Sequence, residues 1–226
     1  GGSKDNAITR ESFARIVSEE PVEKIAEAVE SLAAVYRKEY AVTDPLMEIT
    51  AAESAGDKMP LDEISQEKVL FALLEAPYGV QAMSSDIEGL VETSLNLGIM
   101  ETREKEWHIS YSIRSSVASR KEWLKEKLIR LAQYLGGSYS TTGDYPGWEF
   151  QRESALRDLM CAVYREKYGK DPLVEAIHAG LECGLLLHKK PDMDAVSFGP
   201  DMKDIHTPKE RLSISSTARV YDFLKE

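Results

Sequence analysis

The chain has 226 residues, 42% hydrophobic and 30% charged, enough for one large domain or two small ones with a filled core. Its 28 Lys and Arg against 39 Asp and Glu leave a formal charge of -11, which repels phosphate backbones and argues against general nucleic-acid or anionic-membrane binding. No apolar run approaches the roughly 20 residues of a membrane helix, and the two cysteines, Cys161 and Cys183, make no disulfide framework, which points to a reducing cytoplasm.

The opening GGSKDN reads as a turn that enters a strand, SFARIVS (12–18), so the chain is expected to open inside a structural unit. It has neither the basic region nor the apolar region of a signal peptide. Val22, Ile25, Ala26, Val29, Leu32, Ala33 and Tyr36 then recur at helical spacing behind Pro21, which predicts a helix within 19–40. PLMEITAAES (45–54) reads as a strand and 56–60 as a loop. A second helix is predicted over 65–79, with Ser65 as N-cap and Pro77 and Gly79 as its stop.

VETSLNLGIM (91–100) and EWHISYSIR (106–114) predict an antiparallel pair around a charged turn. Alternation puts Trp107, Ile109, Tyr111 and Ile113 on one face and His108, Ser110, Ser112 and Arg114 on the other. Arg114 thus ends a polar face just before a helix predicted over 119–137. It is either solvated surface or a carboxylate clamp whose stem the strand fixes.

Residues 136–154, rich in Gly, Ser, Thr and Pro, form the clearest boundary. Beyond it come a helix (154–169), a strand in LVEAI (173–177), a helix through 182–190, an apolar strand (193–200), a loop (201–214) and a last helix (216–226). Such alternation predicts part of an α/β layer sandwich with loops gathered at one sheet edge. AVYRKEYAVTDPL (34–46) echoes AVYREKYGKDPL (162–173), but its spacing slips by one residue; it reads as a shared helix exit, not a repeat.

Two stretches carry candidate chemistry. IHAGLECGLLLHKK (177–190) holds His178, Glu182, Cys183 and His188, but too few converging ligands for a self-contained zinc site and no triad logic for a Cys–His pair. It fits better as a strand-to-helix turn in which Gly180 lets backbone N–H groups meet an anion. His206 lies in a loop after an apolar strand, flanked by Asp204, Thr207 and Pro208. It is either a surface histidine or an active-site residue, and alone it cannot hold a catalytic metal.

GGSKDNAITRESFA, VETSLNLGI, SIRSSVAS, DYPGWE, IHAGLECGL, VSFGP and IHTPKERLSI, taken together and in order, resemble the aminoacyl-histidine dipeptidases. These enzymes, also called Xaa-His or cytosol non-specific dipeptidases, are di-zinc metallopeptidases. The resemblance runs the length of the chain but covers only the C-terminal half of such an enzyme. It implies an α/β fold class: an α+β lid domain with a mainly antiparallel sheet over 1–143, lacking its first strand and helix, then the C-terminal part of an α/β metallopeptidase catalytic domain over 144–226. Position by position it implies that His206 is the final zinc ligand. Asn6 and Arg114 would be lid residues that hold the substrate's backbone and C-terminal carboxylate, and Gly180 would be in the turn whose main chain contacts substrate. Thr9 stands where the family has proline, a departure expected to loosen the strand that positions Asn6.

The resemblance further implies dipeptide substrates, two zinc ions with at most a partial site in this chain, a metal-activated water, a cytoplasmic enzyme and a homodimer through the lid. The family's H-x-D segment, bridging aspartate, Glu-Glu pair with the general base and further aspartate ligand are absent from these 226 residues. The chain by itself is therefore expected to be inactive. The alternative is a non-enzymatic, lid-derived module that binds peptides or pairs with itself through an open sheet edge.

Overall fold

The structure, a computed structural model, describes residues 1–56, 59–177, 182–205 and 207–226. They pack as two compact units: Gly1 with 10–74, and 2–9 with 75–226. The mixed α/β character expected from the sequence is what is found, helices together with antiparallel sheet. No described helix is long and apolar enough to cross a membrane.

The first unit is built on two helices, α1 (Val22–Glu39) and α2 (Glu63–Glu75). In α1 the predicted period holds: Val22, Ile25, Ala26 and Val29 are half-buried and Ala33 is fully buried, while Leu32 and Tyr36 remain exposed. Glu23 in the first turn and Arg37 and Lys38 in the last suit the helix dipole. Helix α2 starts earlier than predicted. Asp62, not Ser65, caps it, its Oδ1 accepting from the Ser65 N–H at 2.8 Å. The carboxylate wins because Ser65 already lies inside the first turn. Two expected strands, 12–18 and 45–54, have no regular secondary structure. A strand is made by a partner's hydrogen bonds, and β-rich composition supplies none.

The second unit holds a three-stranded antiparallel sheet in the order β1 (Gly79–Met83), β2 (Val91–Thr102) and β3 (Trp107–Ser115). The β2–β3 hairpin is the predicted one, with Leu95 opposite Ile113, Asn96 opposite Ser112 and Ser94 opposite Arg114. Its register slips between Leu97 and Ile99, a bulge at Gly98. Strand β1 was not foreseen, because the sequence reading spends Gly79 on ending a helix. Helix α3 (Ala118–Tyr134) packs against β3. Leu124 from α3 and Thr93 and Leu95 from β2 are buried, so the core lies on the Leu95–Ile113 face of the sheet.

Past the boundary segment come α4 (Ala155–Tyr168), α5 (Glu182–Lys189), a two-stranded hairpin of β4 (Met202–Lys203) and β5 (Arg211–Leu212), and α6 (Ile214–Leu224). Helix α4 has both punctuation marks: Ser154 accepts from the Arg157 N–H, and Gly169 closes it at φ 67°. The predicted strands at 173–177 and 193–200 are absent, and the predicted loop at 201–214 contains the β4–β5 hairpin instead. Leu173 is 82% exposed, so this apolar run finds no neighbouring strand among the described residues to cover it.

Asp194 joins 193–200 to α4, accepting from Ser154 Oγ at 2.8 Å and from the Leu156 N–H at 2.9 Å. The Leu156 N–H first, and then the Ser154 hydroxyl, hold this carboxyl below the usual range. A depressed folded value means that the stabilisation is complete above the unfolded value of about 3.9. It is lost as pH falls through the folded value. Asp194→Asn is therefore expected to flatten the fall in melting temperature below about pH 4, as thermal melts of both proteins across that range would record.

Candidate functional site

The turn that carries Asn6 is bonded to Asn96, on the same face of the second unit's sheet as Arg114, 108 positions away from Asn6 in the chain. Arg114 stands near the end of β3, half-buried, opposite Ser94. Among the described residues its guanidinium makes no hydrogen bond or ion pair. Its neighbours on that face are the uncharged Ser94, Asn96 and Ser112, and Glu92, whose carboxylate is paired with Arg120 at 2.8 Å. A guanidinium on a strand, with no carboxylate paired to it among the described residues, can take an anion in a two-pronged grip.

Asn6 is exposed in a turn that closes with the Ala7 N–H on Lys4 O at 3.4 Å. The turn is fastened to the sheet from below. Asn96 Nδ2 donates to Asp5 O and to Ala7 O, each at 2.9 Å. Thr9 Oγ1 donates to Gly98 O at 3.2 Å and Leu97 O at 3.4 Å. The Thr9 hydroxyl ties the segment to the bulge, a bond that proline could not make. The approach is close enough to require glycine. A Cβ on Gly98 would lie 2.3 Å from Asp5 O and 2.4 Å from Asp5 Cα.

The boundary segment links this face to α5. A Cβ on Gly147 would lie 2.4 Å from Ser116 O, and one on Gly184 would lie 2.9 Å from Pro146 O. Thus the DYPGWE backbone is wedged between the end of β3, just past Arg114, and the first turns of α5. Lys121 of α3 reinforces it, with an ion pair to Asp144 at 2.6 Å and a hydrogen bond to Tyr145 O. What reads as a linker by composition is pinned in place.

Gly180 and His206 lie outside the described residues, as does His178. Around His206, the β4–β5 hairpin is well tied. Asp204 takes the left-handed conformation at φ 55°, and Arg211 Nη2 donates to its carboxylate at 2.9 Å. The Ser213 N–H donates to Asp201 O at 3.0 Å, fixing the hairpin base at the start of α6. Cys161 and Cys183 are free and half-buried, and His188 is exposed in the last turn of α5. Among the described residues no three His, Cys, Asp or Glu side chains gather into a metal site.

Sequence reasoning missed Asn96, Gly98, Gly147 and Gly184. A signal for the first two was present: an asparagine and a glycine inside an otherwise apolar strand, both disfavoured there, mark a side-chain task and a close backbone approach.

No family model matches the chain. It is 33% identical over 227 aligned residues to the cytosol non-specific dipeptidase of Escherichia coli (strain K12), covering all of this chain and 47% of that protein. The crystal structure of aminoacylhistidine dipeptidase from Vibrio alginolyticus superposes with a TM-score of 0.83 at 33% identity, over 89% of this chain and 41% of that one. Aminopeptidase PepT from Bacillus cereus ATCC 10987 shares the fold alone, with a TM-score of 0.52 at 19% identity over 71% of this chain and 43% of that one. The chain spans about half the length of the curated relative that it matches, 47% of it. In sequence and in fold the chain is similar to the C-terminal half of a cytosol non-specific dipeptidase and of an aminoacylhistidine dipeptidase.

Proposed function

We propose that this chain works as the C-terminal half of a metallodipeptidase that hydrolyses Xaa-His and other dipeptides, and that its own part in the reaction is to grip the substrate. The observation that carries the reading is the Arg114 guanidinium, unpaired among the described residues, on the same sheet face as the Asn6 turn. The match of the whole chain to 47% of a dipeptidase supports it. Arg114 takes the C-terminal carboxylate, the group that every free dipeptide offers. Asn6, with a carboxamide that both donates and accepts, suits the peptide backbone. Gly180 supplies main-chain N–H groups to the same substrate. In functional terms the division falls at 143/144, with lid before it and catalytic segment after.

The described residues do not fit a zinc centre by themselves, since no three ligating side chains come together. His206 is the one ligand that the resemblance assigns to this chain. The remaining ligands and the general base belong to the other half of the proposed enzyme, where bound zinc would activate the attacking water. The cytoplasm and a homodimer through the lid complete the proposal. The purified 226-residue chain, supplied with zinc and a dipeptide ending in histidine, is expected to show no turnover. Metal-dependent release of free histidine, followed by amino-acid analysis, would overturn that assignment.

A further inference from the structure

We propose that Asn96 is a positioning residue for Asn6, its carboxamide setting the turn that holds Asn6 over the sheet face that carries Arg114. This rests on the substrate-gripping reading above and adds a residue that touches no substrate. Both Nδ2 hydrogens are used, on Asp5 O and Ala7 O at 2.9 Å, the two carbonyls that bracket Asn6. The amide orientation is fixed by that pairing. Turned over, Oδ1 would face two carbonyl oxygens, acceptor against acceptor.

Strand stability does not explain the residue. Asparagine is depleted in strands, where a β-branched side chain would pack better. Its Oδ1 is buried and has no partner among the described residues, a further penalty. Position 96 therefore forgoes stability in order to hold the turn. Asn96 lies directly opposite Ser112, with Arg114 two residues further along β3. Asn96 and Arg114 are thus diagonal neighbours, a relation that places residues about 7–8 Å apart. One side chain thereby ties the height and lateral position of Asn6 to the strand pair that carries the guanidinium. Gly98 serves the same end, leaving room for Asp5 to lie against the bulge.

The test uses Asn96→Asp, which keeps the shape but turns carboxylate oxygens toward the two carbonyls. In the 226-residue chain, amide hydrogen exchange across 4–8 is expected to quicken about tenfold or more, while exchange in β2 and β3 stays unchanged. In the complete dipeptidase, KM is expected to rise about tenfold or more with kcat changed by less than about twofold. Asn6→Ala should do the same, and the double variant should be no worse than Asn6→Ala alone, a non-additivity that a merely structural residue would not show. Gly98→Ala displaces the same turn with Asn96 intact, and should give the same rise and the same non-additivity should Asn96→Asp fail to fold. Unchanged exchange in the turn, or effects of Asn96→Asp and Asn6→Ala that multiply, would overturn the proposal. An effect of Asn6→Ala with a silent Asn96→Asp refutes Asn96 alone. A silent Asn6→Ala refutes the substrate reading, and the positioning role falls with it.

Discussion

Arg114→Ala, introduced into the complete dipeptidase of the proposed reading, is expected to raise KM for dipeptides by roughly 30- to 1,000-fold. The range follows from truncating one partner of a charge-assisted pair, a loss of about 2–4 kcal/mol at about 1.4 kcal/mol per decade. The upper part applies if the substrate carboxylate is left desolvated without its partner, and the lower part if water reaches it. Arg114→Lys should recover only part of the loss, since an ammonium cannot reproduce the planar fork. The distinguishing measurement compares a dipeptide with its C-terminal amide. The unsubstituted enzyme should discriminate strongly against the amide, and the Arg114→Ala enzyme should discriminate little. Equal discrimination by both would mean that Arg114 does not hold the carboxylate.

Leu124→Ala should destabilise the second unit by about 2–5 kcal/mol, through lost transfer energy and the cavity left behind. Leu124 is 1% exposed and is the largest fully buried side chain among the described residues. It belongs to α3, which packs on β3 and so backs the strand that carries Arg114. Few other residues could share the loss. Only Ala33, Ala72 and Leu95 join Leu124 as buried hydrophobic side chains among the described residues. Against a typical total of about 5–15 kcal/mol, such a loss would be a large fraction. Urea unfolding followed by tryptophan fluorescence would measure it. A change below about 1 kcal/mol would mean that the helix–sheet packing contributes little to stability.

The two glycine wedges show how the segment that composition marks as a linker acts mechanically. Gly147 lets DYPGWE pass within contact of Ser115 O and Ser116 O, and Gly184 lets α5 close over it. The strand end that bears Arg114 and helix α5 therefore share one tightly packed junction.

The elements that the sequence determined are those whose signals are local. Helix α1 is written in a 3.6-residue apolar period, α4 in Ser154 and Gly169 at its ends, and the β2–β3 hairpin in the alternation that puts Arg114 on the polar face. The family resemblance, too, was legible from short ordered motifs, and with it the residue types suited to a free carboxylate. The tertiary structure decided what depends on partners distant along the chain. Apolar runs at 12–18, 45–54, 173–177 and 193–200 look alike in sequence to a strand, yet none forms one, because a ladder exists only where a second backbone is in register. Thr9 reads as a weakening substitution until its hydroxyl is seen on Gly98 O. Asn96 reads as an oddity in a strand until its amide is found bracketing Asn6 from 90 residues away. Sequence fixes which groups the chain carries; only the packing of distant backbones decides which of them face the same substrate.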